Sequence, residues 1–189
     1  MTGLDEVKDE LVEVAAVITD FDLKPLDEGI DIVIKPSAAA LENMNDFVTK
    51  MHTTSGLITE LDGGTTIADA QTQVLDYIRK HVPEAGKAPL GGNSVGTDKV
   101  FLTKQMPELV DYLHYRIIDV SSIKELSKQW FPRVYFQSPE KHGGHRALGD
   151  ILDSIMELKY YRRAVFSAEG PTSDEAKTIA AEVSADFSH

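Results

Sequence analysis

Apolar and polar positions along the chain follow two different periods. Residues 11–19 (LVEVAAVIT) are rich in β-branched side chains, and residues 30–34 (IDIVI) alternate until Pro36 stops them. The pattern predicts an antiparallel strand pair joined by a polar connection over 22–29. From Ala38 to about Met51 the spacing turns helical, with Leu41, Met44, Phe47 and Val48 set against Asn43, Asp46 and Lys50. A hydroxyl-rich joint at 52–57 leads to a second helix over 66–82, with Val74, Ile78 and Val82 at fourfold spacing and Thr66 or Asp69 available near its cap. Residues 88–94 (APLGGNS) read as a short small-residue strand. Helices are expected over 97–104 and 106–113, a short buried strand over 116–120 (RIIDV), and a further helix over 121–130. A long helix over 145–166 closes the core, with Leu148, Ile151, Leu152, Ile155, Met156 and Leu158 at helical spacing. Strands first, then helices alternating with short strands, predict a three-layer α/β domain with a mixed central sheet flanked by helices.

Composition narrows the partners more than the fold. The chain has 189 residues, 42% of them hydrophobic and 26% charged, which suits one soluble domain with a proper core. With no cysteine, disulfides, zinc–thiolate sites and thiol nucleophiles are excluded, and a reducing cytoplasmic setting is expected. No apolar run is long enough to span a membrane. The formal net charge of −12 disfavours a grip on many phosphates of a long nucleic acid. It leaves room for a short anionic ligand held by a few placed groups, and for divalent cations. After Gly170-Pro171 the composition shifts to Thr, Ser, Asp, Glu and Ala. Residues 167–189 therefore read as a mobile acidic tail, with a marginal helix at most over 174–183, beyond a domain spanning 1–166.

Three stretches carry candidate chemistry. Gly92-Asn93-Ser94-Val95-Gly96-Thr97-Asp98 runs from a strand end into a helix, placing Asp98 at the mouth of the sheet. His114-Tyr115-Arg116 through Ser121 supplies a cation and hydroxyls around one short strand. His145 stands just before the last helix and Asp150 in its first turn, so an imidazole and a carboxylate can converge on one point. Such a pair suits metal-assisted hydrolysis, with Asp as ligand and His as base for the attacking water. Each has a plainer reading. Asp98 could be a first-turn residue favoured by the helix dipole. Arg116, Ser121 and Ser122 could form a surface salt bridge and a helix cap, Phe47 could be core, and His52 and His114 could be satisfied structural histidines. His142 and His145 lack a third His or Cys nearby for a zinc site.

Five motifs in order carry a resemblance: Met1-Thr2-Gly3-Leu4-Asp5, His52-Thr53-Thr54-Ser55-Gly56-Leu57, Gly92-Asn93-Ser94 through Asp98, His114-Tyr115-Arg116 through Ser121, and His145 through Asp150. Over residues 1–166 the chain resembles the oligoribonucleases, in the histidine-containing branch of the DEDD 3′→5′ exonuclease superfamily. The resemblance implies a ribonuclease-H-like fold and a homodimer that degrades short 5′-phosphorylated RNA, chiefly dinucleotides, to mononucleotides. It implies two divalent cations, Mg²⁺ or Mn²⁺, with Asp98 and Asp150 as two of the ligands and His145 as general base. Leu4 matches a wedge against the bases, and Phe47 takes the place of a stacking aromatic. Ser94, Arg116, Ser121 and Ser122 match a cap around the substrate's 5′ phosphate. Tyr115 matches a residue offered across the dimer. A cap of this kind speaks against proofreading and tRNA-trimming relatives, whose longer substrates need an open, more basic groove.

In the family two further carboxylates, Asp-x-Glu, stand immediately before the Met-Thr-Gly-Leu motif. Asp20 and Asp22 fall in the connection after a strand and read as turn residues, while Glu6, Asp9 and Glu10 follow the motif. The expectation is an upstream extension of about ten to twenty residues, one strand and a short lead. A second reading is a catalytically impaired nucleotide-binding dimer lacking those two ligands.

Overall fold

The computed structural model describes residues 1–187. Strand β1 (Glu13–Ala16) pairs antiparallel with β2 (Ile30–Val33), Val14 opposite Ile32, as the alternation predicts. The connection between them turns on Asp20, whose carboxylate accepts the amides of Asp22 and Lys24. The expected helix over 38–51 is two helices instead, α1 (Ala38–Glu42) and α2 (Asp46–Thr54). Asn45 causes the break: its side chain accepts the Val48 amide and starts a new helix. Two short 3₁₀ turns lead to α3 (Ile67–His81), capped by Thr66.

Strand β3 (Pro89–Gly92) runs into α4 (Val95–Gln105), followed by α5 (Pro107–Tyr112) and β4 (His114–Asp119), which pairs parallel with β3. Helix α6 (Val120–Trp130) follows, and then α7 (Pro132–Phe136), a short helix the periodicity does not announce. Its signal is Pro132 at the first helical position, where the missing N–H costs nothing. Helix α8 (Ala147–Ala164) begins two residues later than expected, because His145 is left-handed at φ 62°. In the 167–189 stretch, Ser173–Asp186 form α9, opened by a reciprocal capping box between Thr172 and Glu175 and exposed on every side. The last two residues of that stretch lie outside the described ones.

Strands occupy the middle layer. Helices α3, α4 and α5 pack together on one side, and α8 and α6 cover the strands from the other. In place of one mixed sheet, the described residues form two separate two-stranded sheets, β1–β2 antiparallel and β3–β4 parallel. This corrects the reading of 116–120 as buried. Ile117 and Ile118 are more than a third exposed, because β4 has β3 as its one partner among the described residues. The apolar core lies between the strands and the first helical layer: Leu11, Val14, Ile32 and Ile34 meet Val74, Leu75 and Ile78 of α3, Phe101 and Leu102 of α4, and Leu109 of α5. Each such side chain contributes about 1.5–3 kcal/mol of burial. Helix α8 adds no residue to this buried cluster. Its fully buried positions are Asp153, Ser154, Glu157 and Tyr161.

Candidate active site

Among the described residues, three non-glycine residues have positive φ: Leu23, Ser94 and His145. Two of the three are candidate site residues, and backbone strain of this kind persists only where surroundings impose it. For Ser94 the imposing groups are visible. Its amide donates to Asp119 Oδ1 at 3.0 Å and to Ser121 Oγ at 3.0 Å, and its hydroxyl lies 3.2 Å from that of Ser121. Asp119, not a serine, is the N-cap of α6, accepting the Ser121 amide at 2.9 Å. Ser121 also donates to Asn93 Oδ1 at 3.1 Å. The structure thus brings Ser94 and Ser121 together at the mouth of β3 and β4. Ser122 follows, exposed, on α6.

Arg116 stands exposed on β4, its guanidinium 5.3 Å from the centre of the Tyr115 ring. Tyr115 in turn stacks on His114 at 4.6 Å, and His114 Nδ1 accepts the Arg116 amide. Among the described residues Arg116 is in no ion pair. Leu4, Phe47 and Tyr115 are all largely exposed, so Phe47 is not core. Leu4 rides a loop fastened by Asp9, which accepts the Thr2 hydroxyl and the Asp5 amide, and by Gln105, which bridges Leu11 N and Asp9 O.

Asp98 lies in the first turn of α4 and Asp150 in the first turn of α8. Both have raised pKa values. For Asp98 the cause is desolvation, reinforced by Asp119 and opposed by the Met1 amino group. For Asp150 it is again desolvation, reinforced by Asp153 and Glu13 and opposed by His145 and Lys141. The two sites share neighbours, since the Met1 amino group feels both Glu13 and Asp98 while Glu13 acts on Asp150. Among the described residues neither Asp98 nor Asp150 is neutralised by a Lys or Arg at ion-pair distance. Carboxylates with no Lys or Arg at ion-pair distance fit the hard oxygen ligands a divalent cation takes. Among the described residues no three His, Asp or Glu side chains form a metal-holding group.

His52 is buried and half satisfied. Its Nε2 donates to Met1 O at 2.9 Å, while Nδ1 has no partner, and burial holds its pKa below the ordinary value. Sequence reasoning also missed the polar interior beneath the site. Glu157 is 3% exposed, yet meets Lys141 Nζ at 2.8 Å, Lys124 Nζ at 3.4 Å and Asn93 Nδ2 at 2.9 Å. Burial alone would raise its pKa, but the Lys141 and Asn93 hydrogen bonds and the charges of both lysines prevail and lower it. The available signal was the spacing of Asp150, Asp153 and Glu157 on one helical face.

An exonuclease family, RNase_T, matches residues 1–158. The chain is 60% identical to an oligoribonuclease of Leifsonia xyli, over 97% of this chain and 89% of that one. It is 62% identical to the oligoribonuclease of Streptomyces griseus, over 98% and 92% of the two chains. With that of Streptomyces coelicolor the identity is 63%, over 96% and 91%.

Proposed function

From the premise that the chain belongs to the oligoribonuclease family of exonucleases, with the family's ribonuclease-H-like α/β fold, we infer how its residues divide the work. It is a hydrolase, a 3′→5′ exoribonuclease of short RNA oligomers. The reading of an impaired nucleotide-binding dimer is not adopted, since the likeness to oligoribonucleases runs along nearly the whole chain.

Family members depend on a divalent metal. Asp98 and Asp150 would be two of its ligands, for Mg²⁺ or Mn²⁺ and for a pair of ions. A cation bound there would supply positive charge that stabilises an in-line displacement at phosphorus. His145 takes the proton of the water that attacks the phosphorus of the 3′-terminal phosphodiester; the P–O3′ bond breaks, the leaving O3′ takes a proton from solvent, and the 3′-terminal residue departs as a 5′-mononucleotide. The observation that carries this assignment is His145 in a strained left-handed conformation two residues before α8, whose first turn holds Asp150.

Ser94 and Ser121, with Ser122 and Arg116, form a donor cap for the 5′ phosphate of a dinucleotide. Hydroxyls and a guanidinium free of any carboxylate partner among the described residues suit charge-assisted bonds to a terminal phosphate. Leu4 and Phe47, exposed apolar side chains on anchored elements, flank the bases. Tyr115 serves the partner's site in a homodimer, in a cytoplasmic setting, and residues 1–166 make up the exonuclease domain. Among the described residues no helix is long and apolar enough to cross a membrane.

The test is turnover of a 5′-phosphorylated RNA dinucleotide with Mg²⁺ or Mn²⁺, read as mononucleotide release. Asp98→Asn and Asp150→Asn should each abolish it, and His145→Ala should leave only a slow residual rate, each with the fold intact by circular dichroism. Near-normal turnover by Asp150→Asn would overturn the site.

A further inference from the structure

The loop over 138–144 carries two glycines and a proline, and it must deliver His145 to one place. Two buried carboxylates of α8 hold it. Asp153, 7% exposed, accepts the backbone amides of His142 at 2.8 Å and Gly143 at 2.7 Å on the same oxygen, Oδ2. Glu157 pairs with Lys141 at 2.8 Å, one residue earlier. The loop is also pressed close to the helix. A Cβ on Gly143 would stand 2.3 Å from Asp150 Oδ1 and 2.7 Å from the Asp150 amide, so only a glycine passes. Two residues on, His145 takes its left-handed conformation and α8 begins.

We propose that Asp153 is a positioning residue for the reaction: by binding the amides of His142 and Gly143 it fixes the His145 imidazole relative to Asp150. The proposal rests on His145 being the base. A carboxylate accepting two amides is a charge-assisted clamp on the backbone. Loss of the clamp frees a glycine-rich loop, and a displacement near 1 Å at a reacting group costs on the order of 10²-fold in rate.

The experiment combines hydrogen exchange with a mutant cycle on the full chain. In Asp153→Ala the His142 and Gly143 amides should lose protection, and kcat on a 5′-phosphorylated dinucleotide should fall roughly 10- to 100-fold with KM within about threefold. Asp153→Asn, which keeps an acceptor oxygen, should restore protection and most of kcat. In a His145→Ala background, Asp153→Ala should cost nothing further, because Asp153 acts through His145. Should the alanine variant not fold, Asp153→Ser, too short to reach either amide, takes its place. Unchanged amide exchange, or equal losses with and without His145, overturns the tether. Full turnover by His145→Ala with deprotected amides in Asp153→Ala would instead overturn the assignment of the base.

Discussion

Arg146, the residue between His145 and α8, provides a quantitative test of how burial weights an ion pair. Its Nε donates to Glu13 Oε1 at 2.7 Å, while its two terminal nitrogens donate to Glu60 at 2.8 and 3.1 Å. Counting bonds favours Glu60. Exposure reverses the order: the Glu13 side chain is 5% exposed, that of Arg146 28%, and that of Glu60 45%. Water replaces Arg146 at Glu60, so that arm is worth about 0.2–1 kcal/mol. At Glu13 it cannot, and the carboxylate would keep only the Ala147 amide at 2.7 Å. Breaking a buried pair costs about 3–5 kcal/mol. Discounted for the exposure of Arg146 and the surviving amide, Glu13 accounts for roughly 2–3 kcal/mol. Arg146→Met should then lose about 3 kcal/mol in urea unfolding, moving the midpoint by about 1.5 M at a slope near 2 kcal/mol/M. Glu13→Gln should cost about 2 kcal/mol and Glu60→Gln less than about 1. Arg146→Lys should rescue little, since a point charge cannot reach both carboxylates as the fork does. Equal costs for the Glu13 and Glu60 variants would refute the reasoning.

Arg116→Ala should weaken turnover of a 5′-phosphorylated dinucleotide by about tenfold to a hundredfold, roughly 1.5–3 kcal/mol, and a heptamer far less; equal losses in a competition assay would dispose of the phosphate cap. Asp27, held down to about 2 by the Tyr77 hydroxyl, then the Gly29 amide and His81, ties the β1–β2 connection to α3. Because its folded pKa is depressed below 3.8, its stabilisation is present above that value and lost as pH falls towards 2. Asp27→Asn should flatten the acid limb of a circular-dichroism titration between those values, and an unchanged limb would reject the clamp. The raised pKa values of Asp98 and Asp150 mean that protons compete with a bound cation above the ordinary 3.8. Calorimetric Mn²⁺ affinity should rise with pH beyond that point in the parent and not in Asp98→Asn/Asp150→Asn; a parent affinity independent of pH there would contradict the assignment.

Elements whose apolar pattern meets the core were legible from the sequence. The β1–β2 pair and α3 fall where alternation and fourfold spacing put them, because Val14, Ile32, Val74 and Ile78 all face one cluster. The split of 38–51 was hidden because Leu41, Met44, Phe47 and Val48 keep helical spacing across it, although Asn45 carried a cap signal. β4 looked buried because two isoleucines adjoin, and local sequence does not say how many strands flank a given one. For the candidate site, residues at element ends were readable: Asp98 in a first turn after glycines, and His145 and Asp150 around a helix start.

Helix α8 shows why the support of those residues was not readable. Its sequence offers Leu148, Ile151, Leu152, Ile155, Met156 and Leu158 as the obvious inward stripe, yet the positions fully buried are Asp153, Ser154, Glu157 and Tyr161, and Leu152 is exposed. An apolar stripe would pack as well as the one on α3, but it would leave the His142 and Gly143 amides without acceptors and Lys141 and Asn93 without Glu157. Burying two carboxylates instead is costly unless each is met, and here each is met at hydrogen-bond distance by groups from the loop before the helix or the turn after β3. Those segments present His145 and Ser94, the two strained residues of the candidate site. The polar face of α8 therefore sacrifices hydrophobic burial to fix backbone that has no regular structure to fix it. Violation of the hydrophobic pattern is concentrated where reacting groups must be held still.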